Sequence, residues 1–576
     1  MAERKHWMML AGILLIACIY AGELAYIFSI TPDPCEDAYI TFRFSKNLAD
    51  GNGPVFNPGE HVEGYSNPLW MFSIAVARKL GFDMVSYSRM AGALCNTLIL
   101  LLVWLIPWRW FAVRGPTSLA GPILYLLCLP MHFYAASGLE TSLYTFLIIA
   151  SAAAIMWAGA SAARCTAAFF LLLLTALTRP EGVIFCAFYC LWLGWRYAVK
   201  KESLKPYLPG IIMFALLYGA FLIWRLSYYG LPLPNTYYAK GAFPLYVRLL
   251  LGYFFNRGFF SCYPWFLFLL PFFFFFRITD PARALRPLYL FIAAGFIFSF
   301  AFSGWDWMPY FRYTLPMTPL LIICCQLLFA ELWRAWAPTA GKKVLWAALA
   351  VCIMCAAGEQ YWKDLSLNYR WHDLMEFGRY NQKTMGDWIR RELGTKPVIA
   401  TGDVGYFAYV SQATILDLYG LTNHEFAGIK TRYGTPDISF LPPSFTFESY
   451  KKKELDLLLD YAPDYVFLFT MRLKMSDTYP GSAAGIADTA AFKKSYEYMT
   501  SFSVIPDFTS DQWPRSIHII DISDLSAGML SWMRTGWGYD IYIRRNSPYP
   551  HFAIELGPDK KIKNILTLKK SGVQGP

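Results

Sequence analysis

Long apolar runs separated by short polar connections fill the first 358 residues. Trp7 to Phe28, Ser86 to Trp108, Leu119 to His132, Leu139 to Trp157, Cys165 to Leu177 and Val183 to Leu193 each read as a helix almost free of charge. So do Leu208 to Leu226, Phe254 to Phe276, Leu288 to Phe302, Leu315 to Phe329 and Val344 to Met354. By length and charge the pattern predicts about eleven bilayer spans. Several runs fall short of the roughly 20 residues a straight span needs, so one or two are expected to be broken or re-entrant. The first run, after the basic start MAERKHW, is too long for a signal peptide and lacks a small-x-small cleavage site, so it reads as a transmembrane helix starting in the cytoplasm.

From about Glu359 the pattern changes. Lys and Glu become frequent, no run of span length remains, and short alternating segments appear. KPVIATGDVGYFAYVSQATILDLYGLTN predicts strand, glycine turn, short helix, strand and turn, and KKKELDLLLDYAPDYVFLFT predicts a helix at Lys451 to Tyr461 and a strand at Tyr465 to Phe469. Ile517 to Ile522 and Tyr539 to Arg544 read as later strands. The expected architecture is a polytopic α-helical domain over 1–358, including a loop at 31–85, followed by a soluble α/β domain over 359–576.

One connection stands apart. Pro32 to Trp70 carries the acids Glu36 and Asp37, then Glu60, His61 and Glu63 among glycines and prolines. Within it, apolar Ala38, Tyr39, Phe42, Phe44 and Leu48 alternate with polar Arg43, Lys46 and Asn47, which predicts a short helix lying along the membrane interface. Asn67 to Leu80 reads as a second apolar helix there.

Composition agrees with a membrane chain: 56% of residues are hydrophobic and 16% charged, against about a quarter charged in soluble domains. The net charge of +11 does not indicate a nucleic-acid partner, because the basic residues gather in alternate short loops as the positive-inside rule requires. Those loops hold Arg109 and Arg114, Arg164, Arg196 to Lys205, Arg277 to Arg286, and Arg334 to Lys343. The remaining connections then face away from the cytoplasm, as does the C-terminal domain: Pro32 to Trp70, SGLET, TRPEG, YYGLPLPNTYYAKG and SGWDWMPYFRY. Of the 12 cysteines, none follows Cys355, so no disulfide scaffold is expected in that domain.

The polar residues on that side supply candidate chemistry, each with a plainer alternative. Glu36 and Asp37 could accept a proton in group transfer, or sit in the first turn of a helix for its dipole. Arg179 is suited to a phosphate, or to an ion pair anchoring a helix end with Glu181 or Glu140. Trp305, Asp306, Arg312 and Tyr313 resemble a sugar platform beside an anion contact, although interfacial aromatics are also common anchors. Lys240, after Asn235, Tyr237 and Tyr238, would meet a phosphate or snorkel to a headgroup. Asp403 and Asp417 fall at predicted strand ends, where ligands bind and turns are capped. His61 and His132 have no evident metal partners, while Glu36 and Asp37 could share a divalent cation, Mg or Mn, with a phosphate. Walker and dinucleotide glycine patterns are absent, which leaves ATP or NAD chemistry unsupported.

DAYITFRFSKNLADGNGPVFNPGEHVEGYSNPLW, SGLET, LTRPEG, PNTYYAK, GWDWMPYFR and TGDVGYFAYVSQATILDLYGLTN occur in that order between Asp33 and Asn423. Together they resemble the integral-membrane glycosyltransferases of the GT-C class, and within it the family of the mycobacterial terminal arabinofuranosyltransferase. The resemblance implies a polyprenyl-phosphate sugar donor, a cell-envelope glycan or glycolipid acceptor, an extracytoplasmic site, inversion at the anomeric carbon, and a catalytic base among the acids of the first loop. The family commonly has two aspartates there, whereas this chain has Glu36 then Asp37, so Asp37 is expected as base and Glu36 as the group that orients acceptor or cation. Arg179, Arg312 and Lys240 would hold the phosphate. Glu140, Glu181, Asp306, Trp305, Tyr237, Tyr238, Asn235, Glu63, His61 and Asn67 would contact sugar or acceptor, with the protein acting as a monomer in the bilayer. A lipid-linked saccharide flippase and a membrane-anchored glycan-binding assembly protein are the competing readings.

Overall fold

The structure, a computed structural model, describes residues 2–31, 33–240, 245–268, 282–301, 308, 310–336, 340–433, 447–472, 486–505, 536–558 and 561–568. In chain order the helices begin with α1 (Ala2–Ile30), α2 (Glu36–Ala49), α3 (Pro68–Lys79), α4 (Met84–Trp110), α5 (Ala120–Leu126), α6 (Leu129–Ala136), α7 (Thr141–Ala158), α8 (Ala162–Thr178) and α9 (Gly182–Lys200). There follow α10 (Leu208–Tyr229), α11 (Asn235–Lys240), α12 (Leu245–Cys262), α13 (Ala282–Ala301), α14 (Thr318–Trp336) and α15 (Ala340–Trp388). The last part holds β1 (Val398–Thr401), α16 (Tyr406–Ser411), β2 (Thr414–Asp417), α17 (His424–Tyr433), α18 (Phe447–Tyr461), β3 (Tyr465–Arg472), α19 (Ala490–Ser495), β4 (Tyr496–Ile505), β5 (Gly536–Arg544), β6 (His551–Leu556) and β7 (Ile562–Leu568). The expected strand Ile517 to Ile522 lies outside the described residues.

Two compact units emerge. One comprises Met1–Cys35, Asn67–Arg225 and Arg248–Tyr369; the other comprises Glu36–Ser66, Leu226–Val247 and Arg370–Pro576. The grouping does not follow the linear division at 358, because Glu36–Ser66 and Leu226–Val247 cluster with the C-terminal part.

The first unit is helical, with α4 packed on α6 and α7, α7 on α8, and α8 on α9. By length and composition five described helices can cross a membrane: Met9–Ile30, Met84–Trp110, Thr141–Ala158, Gly182–Lys200 and Leu208–Tyr229. A sixth span is counted if the pair Thr117–Leu126 and Leu129–Ala136, bent by 56°, is taken as one. The described residues therefore hold five or six candidates, not eleven. The run from Leu119 to His132 is broken at Leu127 and Cys128, and Pro130 falls in the first turn of the new helix, where its missing N–H costs nothing. Ala162–Thr178, Arg286–Ala301 and Leu315–Glu331 form apolar helices too short for the criterion. Much of Phe254 to Phe276 lies outside the described residues, and Val344 to Met354 is part of the 49-residue α15. All 12 cysteines are free, Cys352 and Cys355 at CxxC spacing included.

The second unit is built on a five-stranded sheet of order β2-β1-β3-β5-β4. β1 runs parallel to β2 and β3, while β5 is antiparallel to β3 and β4. Ala400, Leu416, Val466 and Leu468 from its strands pack on Phe426, Leu455, Leu458, Phe492 and Tyr496 to form the core. α2 belongs to this unit and is buried on nearly every side, Ala38 to Ser45 and Asn47 all being inaccessible. The expectation of an interfacial α2 is thus corrected. The reason is Arg43, a polar position in the pattern that faces protein: Nε donates to the Phe56 carbonyl at 2.8 Å, Nη1 to that of Ala408 at 2.6 Å, and Nη2 to Ala413 at 2.7 Å and Asn57 Oδ1 at 3.0 Å. A guanidinium with its donors engaged by fixed acceptors is tolerated in a core.

Candidate active site

The expected site residues form two clusters, one in each unit. In the helical unit the TRPEG turn joins α8 to α9, with Arg179 as C-cap of the first helix and Glu181 as N-cap of the second. Arg179 Nη1 lies 3.0 Å from Glu140 Oε1, and Nε pairs with Glu181. Burial works against the charged guanidinium, but Glu181 and Glu140 more than offset it and hold its pKa above the ordinary arginine value. Glu140, the N-cap of α7, also accepts from Asn67 Nδ2 at 2.8 Å, and Asn67 caps α3. Four helix ends are therefore fastened by one network of buried groups. The ion pairs weighed from sequence are formed.

Arg312 joins this cluster from the segment before α14. Its guanidinium carbon is 5.7 Å from the Tyr313 ring centroid, and that of Arg179 is 5.2 Å from the same ring and 5.6 Å from that of Tyr144. Ring faces are attractive to cations, so Tyr313 helps two buried guanidinium groups share one neighbourhood. Tyr310 and Phe311, immediately before Arg312, have φ of 65° and 53°, left-handed values that cost bulky side chains free energy. The turn is held by Tyr310 Oη donating to the Asp364 carbonyl at 3.0 Å and by the Phe255 ring 5.3 Å from that of Phe311. Burial pushes the Asp364 carboxyl up to about 7. Trp305 and Asp306 lie outside the described residues.

In the second unit Glu36 and Asp37 occupy the first turn of α2, so the helix-dipole reading is realised. Glu36 does more than that. Its Oε1 accepts the Tyr406 N–H at 3.0 Å, and its carboxyl hydrogen-bonds that of Asp403, the residue two past the end of β1. Burial first, then the neighbouring Asp403 and Asp37, push the Glu36 carboxyl well above the ordinary carboxylate range, and the Tyr406 N–H opposes this only in part. Two carboxyls in hydrogen-bond contact cannot both be ionised cheaply, which favours the protonated form of Glu36. Gln382 Nε2 donates to Asp403 Oδ2, and the buried Tyr539 hydroxyl neighbours Asp403, its own pKa raised by burial and then by the two acids. Gly405 makes the approach possible, since a Cβ there would stand 1.9 Å from Glu36 Oε1.

The other candidates of this unit are distributed. The Glu63 carbonyl accepts the Asn235 N–H at 2.9 Å. Asn235 is a clasp: its Nδ2 donates to the carbonyls of Gly420, Leu421 and Asn423 at 2.7, 3.1 and 3.2 Å, and its Oδ1 is 3.0 Å from His424 Nδ1. His61 stacks on Tyr228 with centroids 4.3 Å apart. Tyr237 is exposed and edge-on to Tyr238, and Lys240 is half-buried at the end of α11. Asp417 caps its own turn, accepting from the N–H groups of Tyr419, Gly420 and Thr422. Among the described residues no group of three His, Cys, Asp or Glu is arranged to hold a metal ion.

Known proteins share parts of this chain. The family described as "Domain of unknown function (DUF8728)" matches residues 368–518. The terminal beta-(1->2)-arabinofuranosyltransferase of Mycobacterium tuberculosis is 30% identical over 226 residues, 36% of this chain and 35% of that one. Its counterpart from Corynebacterium glutamicum is 30% identical over 231 residues, 36% and 33% of the two chains. Over that stretch the chain is similar to the terminal arabinofuranosyltransferases. The match spans about a third of the length of these arabinofuranosyltransferases. Among solved structures, ArnT from Cupriavidus metallidurans bound to undecaprenyl phosphate superposes with a TM-score of 0.47 at 13% identity, covering 72% of this chain and 86% of that one. AglB from Archaeoglobus fulgidus, in complex with an inhibitory peptide and a dolichol-phosphate, gives 0.46 at 11% identity, covering 90% and 82%.

Asp403 as partner of Glu36 was not readable from the sequence, although the GDVG turn marked its position; the two are 367 positions apart. Gly405 belongs to the same turn, and its need follows only from the approach of Glu36.

Proposed function

We propose that the chain is an inverting GT-C glycosyltransferase that moves a sugar from a polyprenyl-phosphate donor to a hydroxyl of a cell-envelope glycan or glycolipid. In this reading the N-terminus is cytoplasmic, the acids and the C-terminal domain are extracytoplasmic, and the span count is that of the GT-C class. The observation that carries it is the asymmetry between Glu36 and Asp37. Burial and the neighbouring Asp403 and Asp37 hold the Glu36 carboxyl above the ordinary carboxylate range, and its Oε1 receives the Tyr406 N–H, which makes it a poor base and a good anchor. Asp37, beside it in the first turn of α2, takes the proton of the acceptor hydroxyl as that oxygen attacks the anomeric carbon. The bond from that carbon to phosphate oxygen breaks, and polyprenyl phosphate leaves with the electron pair. Arg179, Arg312 and Lys240 are the cations proposed to meet the phosphate, Arg179 being also paired with Glu140 and Glu181. Similarity to the arabinofuranosyltransferases over a third of their length supports a pentofuranose as the transferred sugar. A divalent cation at Glu36 would have to compete with protonation of that carboxyl; transfer abolished by a chelator and restored by Mg or Mn would reassign these acids as ligands.

The test is incubation of purified protein with a panel of polyprenyl-phosphate sugars and envelope glycans, followed by mass measurement. A product heavier by one sugar residue is expected. Movement of labelled lipid across vesicles without any such product, unchanged in Asp37→Asn, would instead favour the flippase reading.

A further inference from the structure

The transfer reaction proposed above leaves a groove of the second unit without a role. It encloses about 880 Å³ and is lined by Tyr229, Tyr238, His424, Glu425, Ile429 and Lys453, among others. That is within the roughly 300–1,000 Å³ of small-molecule sites. Its wall is built with care. Asn235 gives its amide hydrogens to three backbone carbonyls, so its Oδ1 can only accept, and the proton of His424 must lie on Nδ1. With Nδ1 so engaged, the ring is held in a fixed orientation.

The chain leads from the neighbourhood of the acids to the groove wall by way of two strand ends. β1 and β2 are parallel neighbours, paired Thr401 to Asp417 at their carboxyl ends, and ligands of such sheets bind beyond those ends. Glu36 sits past the end of β1, on Tyr406 and Asp403. Tyr419, past the end of β2, lies against Gly402, where a Cβ would meet its ring at 2.8 Å. The turn from Asp417 to Asn423 then delivers His424 and Glu425 into the groove wall.

Resting on the transferase reading, we infer that this groove binds the acceptor glycan, holding the sugar rings behind the hydroxyl presented to Asp37. Its chemistry fits an uncharged oligosaccharide. Tyr229, Tyr238 and Ile429 offer apolar faces to sugar C–H surfaces, and His424 Nε2, Glu425 and Lys453 meet hydroxyl groups. Glu425 and Lys453 carry opposite charges and give the groove no net preference for an ion. A polyprenyl tail would bury both against hydrocarbon, which is costly.

Two measurements separate this inference from the reading beneath it. In transfer assays, arabinofuranosides and mannosides of one to three units should show kcat/KM rising with length, and His424→Gln, Tyr238→Ala and Lys453→Ala should each erase about tenfold of that gain through KM, with the Kd of the donor unchanged. Calorimetric titration of the trisaccharides into Asp37→Asn protein reads the groove even if no transfer is found with any donor. Binding weakened about tenfold by Lys453→Ala, an exposed position that leaves the fold intact, supports the inference in either case. It is overturned if none of these glycans binds, if they bind equally to all variants, or if donor affinity falls in parallel.

Discussion

Around Arg179 two carboxylates neutralise a guanidinium, whereas around Glu36 two further carboxylates crowd a third. Both clusters are short of water, and each avoids an unbalanced buried charge by a different route. The first uses a fixed cation, so its balance does not change over the ordinary pH range. The second uses a proton, so its balance does. A cluster balanced by fixed charges holds helix ends; a cluster balanced by a proton can give two adjacent acids different roles.

If this division is right, the largest effect belongs to Asp37. Asp37→Asn is expected to lower the initial rate of transfer by about 10²–10⁴-fold while donor binding, followed by calorimetry, stays as it was. A variant that keeps most of the rate would move the base elsewhere. Next in size is Arg179→Ala, which strands Glu140 and Glu181 in a buried place and should cost about 3–5 kcal/mol of stability. Denaturant unfolding in detergent measures it, and a loss below about 1 kcal/mol would show that the pairs behave as exposed ones do. Gly405→Ala forces Glu36 away from the Tyr406 N–H and is expected to cost about 1–3 kcal/mol, read as a lower Tm together with slower transfer.

The smallest effect concerns pH. The folded-state pKa of Glu36 lies above its unfolded value, so the folded protein holds a proton that the unfolded chain releases. Stability therefore falls as pH rises from the ordinary glutamate value of about 4.3 toward the folded pKa, and levels off above it. Glu36→Gln, neutral throughout, should lack that slope when Tm is followed against pH, and an unchanged slope would assign it to another acid.

How far the sequence foretold these clusters depends on the range of the contacts involved. Periodicity placed α2, the β1–α16–β2 run, α18 and β3, because local backbone preference and the burial pattern agree there. The ion pair of Arg179 with Glu140 was foreseeable as well, since an acid at the head of an apolar run needs a partner and the cations available are few. Arg43 was not, for a cation within an amphipathic pattern looks solvated until the Ala408 and Ala413 carbonyls, more than 360 positions away, are brought to it. The bend between α5 and α6 was hidden inside one continuous apolar run, where Pro130 is compatible with either a kink or a fresh start. The raised pKa of Glu36 beside Asp403 arises from tertiary contact alone.

The claim that one acid of the pair is neutral and its neighbour is the base is tested most directly by infrared difference spectroscopy at neutral pH. Subtracting the spectrum of Glu36→Gln from that of the unmodified protein should reveal the carbonyl band of a protonated carboxylic acid, and subtracting that of Asp37→Asn should reveal only ionised carboxylate bands. A protonated-acid band that is lost with Asp37 and retained without Glu36 would contradict the account.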